Sequence, residues 1–136
     1  MTGENLWDPS PLPFHFDYNQ AENMLIISFR RCLLGTHQDI ESFISKMKVF
    51  CRSLNAKCYI LVDLQDLYVK PEVGTFFWSE LKRLVDPYAI NILGYAGPVF
   101  DGTVGTRLGT RSYLFPIFYG RKERAIALLK EASENE

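Results

Sequence analysis

The stretch from Lys57 to Val85 constrains this chain most. Lys57-Cys-Tyr-Ile-Leu-Val-Asp63 is an unbroken apolar run of strand length that ends on a carboxylate, and Pro71-Glu-Val-Gly-Thr-Phe-Phe-Trp78 with Leu81-Lys-Arg-Leu-Val85 then carries apolar residues at helical spacing. The pattern predicts a buried strand feeding a packed helix. The intervening loop, Leu64 to Lys70, opens at the carboxyl end of that strand, where open α/β sheets place ligands or partners. That loop is the expected working surface.

The remaining chain falls into place around this unit. Phe14-His-Phe-Asp-Tyr18 alternates apolar and polar residues as a half-exposed edge strand does, and Met24-Leu-Ile-Ile-Ser-Phe29 reads as a more buried strand, so the two predict an antiparallel hairpin across Asn19 to Asn23. Cys32-Leu-Leu-Gly35 reads as the exit from that hairpin. Thr36 and Asp39 have the spacing of a capping box, and Ile40, Phe43, Ile44, Met47, Phe50, Cys51 and Leu54 follow at helical steps. In the second helix Pro71 suits the first turn and Glu72 the positive end of the dipole, with Val73, Phe76, Phe77, Leu81, Leu84 and Val85 as the expected buried face. Ala89-Ile-Asn-Ile-Leu-Gly-Tyr95 and Phe115-Pro-Ile-Phe-Tyr119 supply two more strands, and Glu123 to Ala132 a closing helix. Strands alternating with helices imply parallel pairs, so the predicted fold class is α/β: a mixed, mostly parallel sheet of about five strands covered by helices.

A chain of 136 residues with 47% hydrophobic and 23% charged residues reads as one domain, 14–132, preceded by a proline-bearing arm, 1–13, and followed by a short tail, 133–136. Cys32, Cys51 and Cys58 are odd in number and form no C-x-x-C pair, which predicts reduced thiols rather than a metal site or disulfide framework. No apolar run has membrane-spanning length, and the first residues lack the basic and apolar regions of a signal peptide, so a cytoplasmic location is expected. The net charge of −1 argues against general nucleic-acid binding.

The order of elements, with Lys57 to Leu67 leading into Pro71 to Val85 and the ending Phe115-Pro-Ile-Phe-Tyr-Gly-Arg-Lys-Glu-Arg-Ala125, resembles the STAS family of sulfate transporters and anti-sigma-factor antagonists, and within it the SpoIIAA-like branch. The resemblance spans roughly Phe14 to Ala132. In antagonist members a serine at the start of the helix after the third strand is phosphorylated to control binding to a partner kinase. If Gly74 stands for the glycine of that motif, the serine positions fall on Glu72 and Val73. The phosphoserine is therefore missing, and Glu72 offers a standing charge smaller than the roughly −1.5 to −2 of a phosphate. Thr75 is the nearest hydroxyl.

Several residue groups invite chemistry. Asp63 and Asp66 bracket the end of the central strand, where paired carboxylates bind cations or move protons, yet short acidic side chains serve equally as turn and cap formers. His15 and His37 are not spaced as a metal pair. Gly97 to Arg111 contains the near-repeat Gly105-Thr-Arg-Leu-Gly-Thr-Arg111, in which Thr106, Arg107, Thr110 and Arg111 form a candidate anion or ligand site; the same residues also read as a helix with Phe100, Val104 and Leu108 facing inward. Tyr68 and Trp78, the latter off the predicted buried stripe, are expected to be exposed as interface anchors or else to cover the sheet rim.

These readings give a non-catalytic regulatory or protein-interaction module that binds a protein partner through Asp66, Tyr68, Glu72, Thr75 and Trp78. The alternative is a binder of a small anionic or lipid-like ligand, and the third is a small enzyme drawing on Asp63, Asp66, His37 or Cys32. No cofactor, metal or nucleic acid is expected, and a homodimer is left open.

Overall fold

A computed structural model of the chain describes residues 13–98, 108 and 115–134. Its strands are β1 (Phe14–Asn19), β2 (Met24–Phe29), β3 (Cys32–Leu34), β4 (Cys58–Asp63), β5 (Leu67–Val69), β6 (Ala89–Tyr95) and β7 (Ile117–Phe118). Its helices are α1 (His37–Cys51), α2 (Pro71–Val85) and α3 (Lys122–Glu134), with a 3-10 turn at Asp86–Tyr88. Five strands form one sheet in the order β1-β2-β4-β6-β7, and β3 and β5 form a separate two-stranded sheet. In the larger sheet β1 runs antiparallel to β2 and the other three pairings are parallel. The chain is thus a single α/β domain with the expected mixed, mostly parallel sheet.

The alternation of a strand puts neighbouring side chains on opposite faces, and here each face has its own core. Leu25, Ile27, Ile60, Val62 and Ile92 pack with Phe43 and Met47 of α1 and Phe77 and Leu81 of α2. On the other face Met24, Leu61, Leu93 and Tyr95 pack with Ala125 and Leu129 of α3. Strand β4 is central and needs apolar residues on both faces, which explains its unbroken run. Phe14 and Phe16 of the edge strand reach inward to Phe43, with ring centroids 4.9 and 6.0 Å away, while His15 and Asp17 stay exposed.

Local chemistry fixes the ends. Asn23 takes a left-handed φ of 52° in the hairpin turn, and its side chain donates to the Lys57 carbonyl (3.0 Å) at the entrance of β4. The capping box of α1 is formed: Thr36 Oγ1 accepts from Asp39 N (3.1 Å), and Asp39 Oδ2 accepts from Thr36 N (3.2 Å) and Gly35 N (3.0 Å). Pro71 occupies the first turn of α2, as its missing N–H allows. No helix among the described residues is long and apolar enough to cross a membrane.

The structure corrects four expectations. Leu64 to Lys70 is not a plain loop, because β5 pairs parallel with β3 through Cys32↔Leu67, Leu33↔Tyr68 and Leu34↔Val69. The final strand is shortened to Ile117–Phe118, after Pro116, whose missing N–H cannot join a ladder. Helix α3 runs to Glu134, beyond Ala132. Most consequential, Trp78 is 1% exposed. Its indole N–H donates to the Leu108 carbonyl (3.1 Å), and its ring lies edge-on to Phe77 and Phe115, with centroids 5.1 and 5.4 Å away. The buried arc of α2 is therefore Val73, Gly74, Phe77, Trp78, Leu81 and Val85, turned away from Phe76 and Leu84, which are half-buried.

A Trp78→Phe variant retains an aromatic ring and leaves the Leu108 carbonyl without its donor. It should lose roughly 1–3 kcal/mol of stability in chemical denaturation; a change within about 0.5 kcal/mol would mean that the indole bond contributes nothing.

Candidate functional site

The carboxyl ends of β4, β6 and β7 meet the start of α3. Asp63, the last residue of β4, is 7% exposed and lies on the α3 side of the sheet. Its Oδ1 accepts from the Gln65 backbone N–H and side-chain amide (both 3.1 Å), and its Oδ2 takes an ion pair from Lys122 Nζ at 3.1 Å. A carboxylate this buried requires donors, and these three bonds supply them. Alongside, Leu64 N donates to the Tyr95 carbonyl (2.7 Å), and Tyr95 Oη donates to the Gly120 carbonyl (2.7 Å). Gly120 N donates to the Gly97 carbonyl (2.9 Å). Gly97 and Gly120 hold φ of 114° and 142°, a conformation that favours glycine, so this junction explains both residues.

The same end of the sheet sets a polar row across the α3 face. His15 is paired with Ser28, Asp63 with Tyr95, and Ile27 with Val62, so Ser28 stands beside Asp63. Ser28 lies between the histidine and the carboxylate. A Ser-His-Asp relay needs the imidazole in the middle, where it can take the hydroxyl proton and be held by the acid. This order does not provide it, and Asp63 is committed to Gln65 and Lys122.

The other reactive candidates are dispersed. Cys32 is 1% exposed in the core shared with α1 and α2, across the sheet from Asp63, and burial, with the charge of Asp39, pushes its thiol up to about 11. A thiol so held is a poor nucleophile at neutral pH. His37 is exposed in the first turn of α1, its ring 4.4 Å from that of Phe76. Asp66 adopts a left-handed φ of 64° in the turn before β5, and its carbonyl accepts from Cys32 N (3.0 Å). Its conformation is that of a turn former. Among the described residues no group of three His, Cys, Asp or Glu side chains could hold a metal ion.

What the small β3–β5 sheet does present is a ledge. Leu33 and Tyr68 are opposite each other in register and are 58% and 47% exposed. Asp66 precedes the ledge, and Glu72 and Thr75 are exposed in the first turns of α2 just after it. Four of the five expected partner-binding residues, Asp66, Tyr68, Glu72 and Thr75, are thus at the surface. Trp78 is not; it is a core residue. Leu33 is the residue that sequence reasoning missed, since a Leu-Leu pair following a cysteine looks like core and only the register of β3 turns one of the two outward. Thr106, Arg107, Thr110 and Arg111 lie outside the described residues. Leu108 is fully buried, in agreement with the inward-facing reading of that one position.

In comparisons with protein-family models, curated proteins and solved structures, none matched this chain.

The buried thiols predict an alkaline weakness. Cys32 and Cys51 are held at about 11, against an ordinary 9.0, chiefly by burial. Unfolded, they ionise near 9; folded, they keep their protons to about 11, so unfolding releases protons in that window and stability falls as pH rises through it. Urea midpoints measured from pH 8.5 to 11 should decline, and the decline should be shallower in Cys32→Ala. An equal slope in variant and parent would contradict the assignment.

Proposed function

We propose that this chain is a non-catalytic, STAS-like module that binds another protein through the β3–β5 ledge. The observation that carries the reading is the opposed, solvent-facing pair Leu33 and Tyr68 at the carboxyl end of an otherwise well-buried sheet. Cross-strand apolar neighbours stabilise a sheet by contact with each other, but two such side chains about half exposed leave apolar area for a partner to cover. Glu72 and Thr75 border this area at the start of α2, where the antagonists of the resembled family carry their phosphorylated serine. Glu72 is a fixed negative charge in the helix's first turn, favourable to the dipole, so the module on this reading stays in one binding state. Val73, the other position that the resemblance sets against a serine, has no hydroxyl to carry a phosphate and is buried.

A photo-crosslinking residue at position 33 should give a discrete protein adduct in cells, whereas the same residue at Val49, which is 67% exposed on α1, should not. With the captured protein purified, Leu33→Ala or Tyr68→Ala should weaken binding by about 30-fold, the size expected for a central anchor worth roughly 2 kcal/mol. Equal crosslinking from both positions, or binding unchanged in both variants, would refute the ledge as the contact.

A further inference from the structure

The five-stranded sheet ends at β1, whose far edge no described strand covers. Two backbone bonds decide which groups stand on that edge. Arg30 N donates to the Pro13 carbonyl (2.7 Å), one step beyond the Phe14↔Phe29 pairing, so Pro13 and Arg30 are a hydrogen-bonded pair. Tyr59 N donates to the Asn23 carbonyl (3.0 Å), which turns the odd-numbered residues of β2 towards β4 and the even-numbered ones towards β1. Pairs alternate along an antiparallel ladder, so His15, Asp17 and Asn19 turn their backbone groups to β2, and Phe14, Phe16 and Tyr18 turn theirs outward. No described residue bonds to those outward groups.

A strand edge of this length is usually blunted by a proline, a bulge or a run of charge. Strand β1 pairs with β2 without a register shift, and no proline interrupts it. Its two charged residue types, His15 and Asp17, are exposed on the α3 side of the sheet, where α3 packs mainly over β4 and β6. They are of opposite character and two residues apart. On the α1 side Phe16 is half-buried against Phe50, with ring centroids 5.5 Å apart, and Tyr18 is 36% exposed, so an aromatic seam borders the open edge.

This sequence is complementary to itself. A two-fold axis through Phe16 sets Phe16 against Phe16 of a second copy, and Phe14 against Tyr18, as hydrogen-bonded pairs that use every outward backbone group of the strand. Registers displaced along the strand leave Phe14 or Tyr18 without a partner from β1. The same axis sets His15 opposite Asp17 of the second copy, at the non-hydrogen-bonded positions where side chains come closest. An imidazole offers an N–H to a carboxylate whether it is neutral or protonated.

We infer that β1 is a self-association edge: two copies of this chain pair antiparallel through β1 about a two-fold axis at Phe16, joining their five-stranded sheets into one. The contact is short, so the dimer is reversible and concentration-dependent. It does not use the ledge, and failure of either reading leaves the other standing.

Sedimentation velocity of the full chain over a concentration series should show a monomer–dimer equilibrium. His15→Asp sets two carboxylates against each other across the axis, and Asp17→Lys sets a lysine against the histidine. Each should raise the dissociation constant about tenfold, because both symmetry-related pairs are lost. The double variant His15→Asp/Asp17→Lys restores opposite charges and should return to within about threefold of the parent, a rescue that a folding defect would not give. Mixed in equal amounts, His15→Cys and Asp17→Cys chains should form an interchain disulfide faster than either alone, since only the mixture sets two thiols directly opposite each other. A monomer at every concentration, a dimer indifferent to the single charge changes or not rescued by the swap, or equal disulfide formation in the mixture and the single variants would each overturn the inference.

Discussion

Everything in this fold leans on β4. It is the middle strand of five, hydrogen-bonded in parallel to β2 on one side and β6 on the other, and its side chains enter both cores. Cys58, Ile60 and Val62 meet the layer of α1 and α2; Leu61 meets α3. A strand in that position has no solvent face, so a polar residue along it would be costly. The run keeps to that rule until Asp63, and the single carboxylate at its end is then satisfied by the backbone and side chain of Gln65 and by Lys122. This clasp ties the exit of β4 to the start of α3, bringing the last helix onto the face that β4 needs covered.

From the same exit the chain makes the turn at Asp66, adds the three residues of β5 and starts α2 at Pro71. The ledge is a consequence of this route. Residues leaving the end of a buried strand must reach a helix on one face, and pairing with β3 satisfies backbone groups that would otherwise stand open on the way. Because the β3–β5 sheet is only two strands wide, one face packs through Cys32, Leu34, Leu67 and Val69 while the other offers Leu33 and Tyr68 to solvent. The end of the central strand thus carries a structural carboxylate on one side and leads into an exposed apolar pair, Leu33 and Tyr68, on the other.

The sheet class, the hairpin and the two long helices were legible in the sequence because apolar period is a local property: Phe14 to Phe29 and Ile40 to Cys51 announce their partners within a few residues. What escaped was set at long range. Strands of three residues have no period to detect, and Cys32 meets Leu67 only after α1 and β4 have intervened. Trp78 fell off the stripe drawn from its own helix because the carbonyl that receives its indole N–H belongs to Leu108, thirty residues on. Asp63 was visible as a carboxylate at a strand end, but its partner Lys122 lies 59 residues away, so its role as a clasp could not be separated from a catalytic one. The outward turn of Leu33 depends on the register of the β3–β5 pair and has no signal of its own.

The parallel strands β2, β4 and β6 form a centre from which the two-stranded ledge stands apart, and native-state amide hydrogen exchange tests that division most directly. The amides of Tyr59 to Val62 should exchange only through global unfolding, with an opening free energy equal to that from denaturation, while those of Leu34 and Tyr68, which face the partner strand in the β3–β5 ladder, open at a lower free energy without disturbing β4. If the ledge amides were protected to the same level as β4, or if β4 opened below the global value, the division between a supporting centre and a presented surface would be wrong.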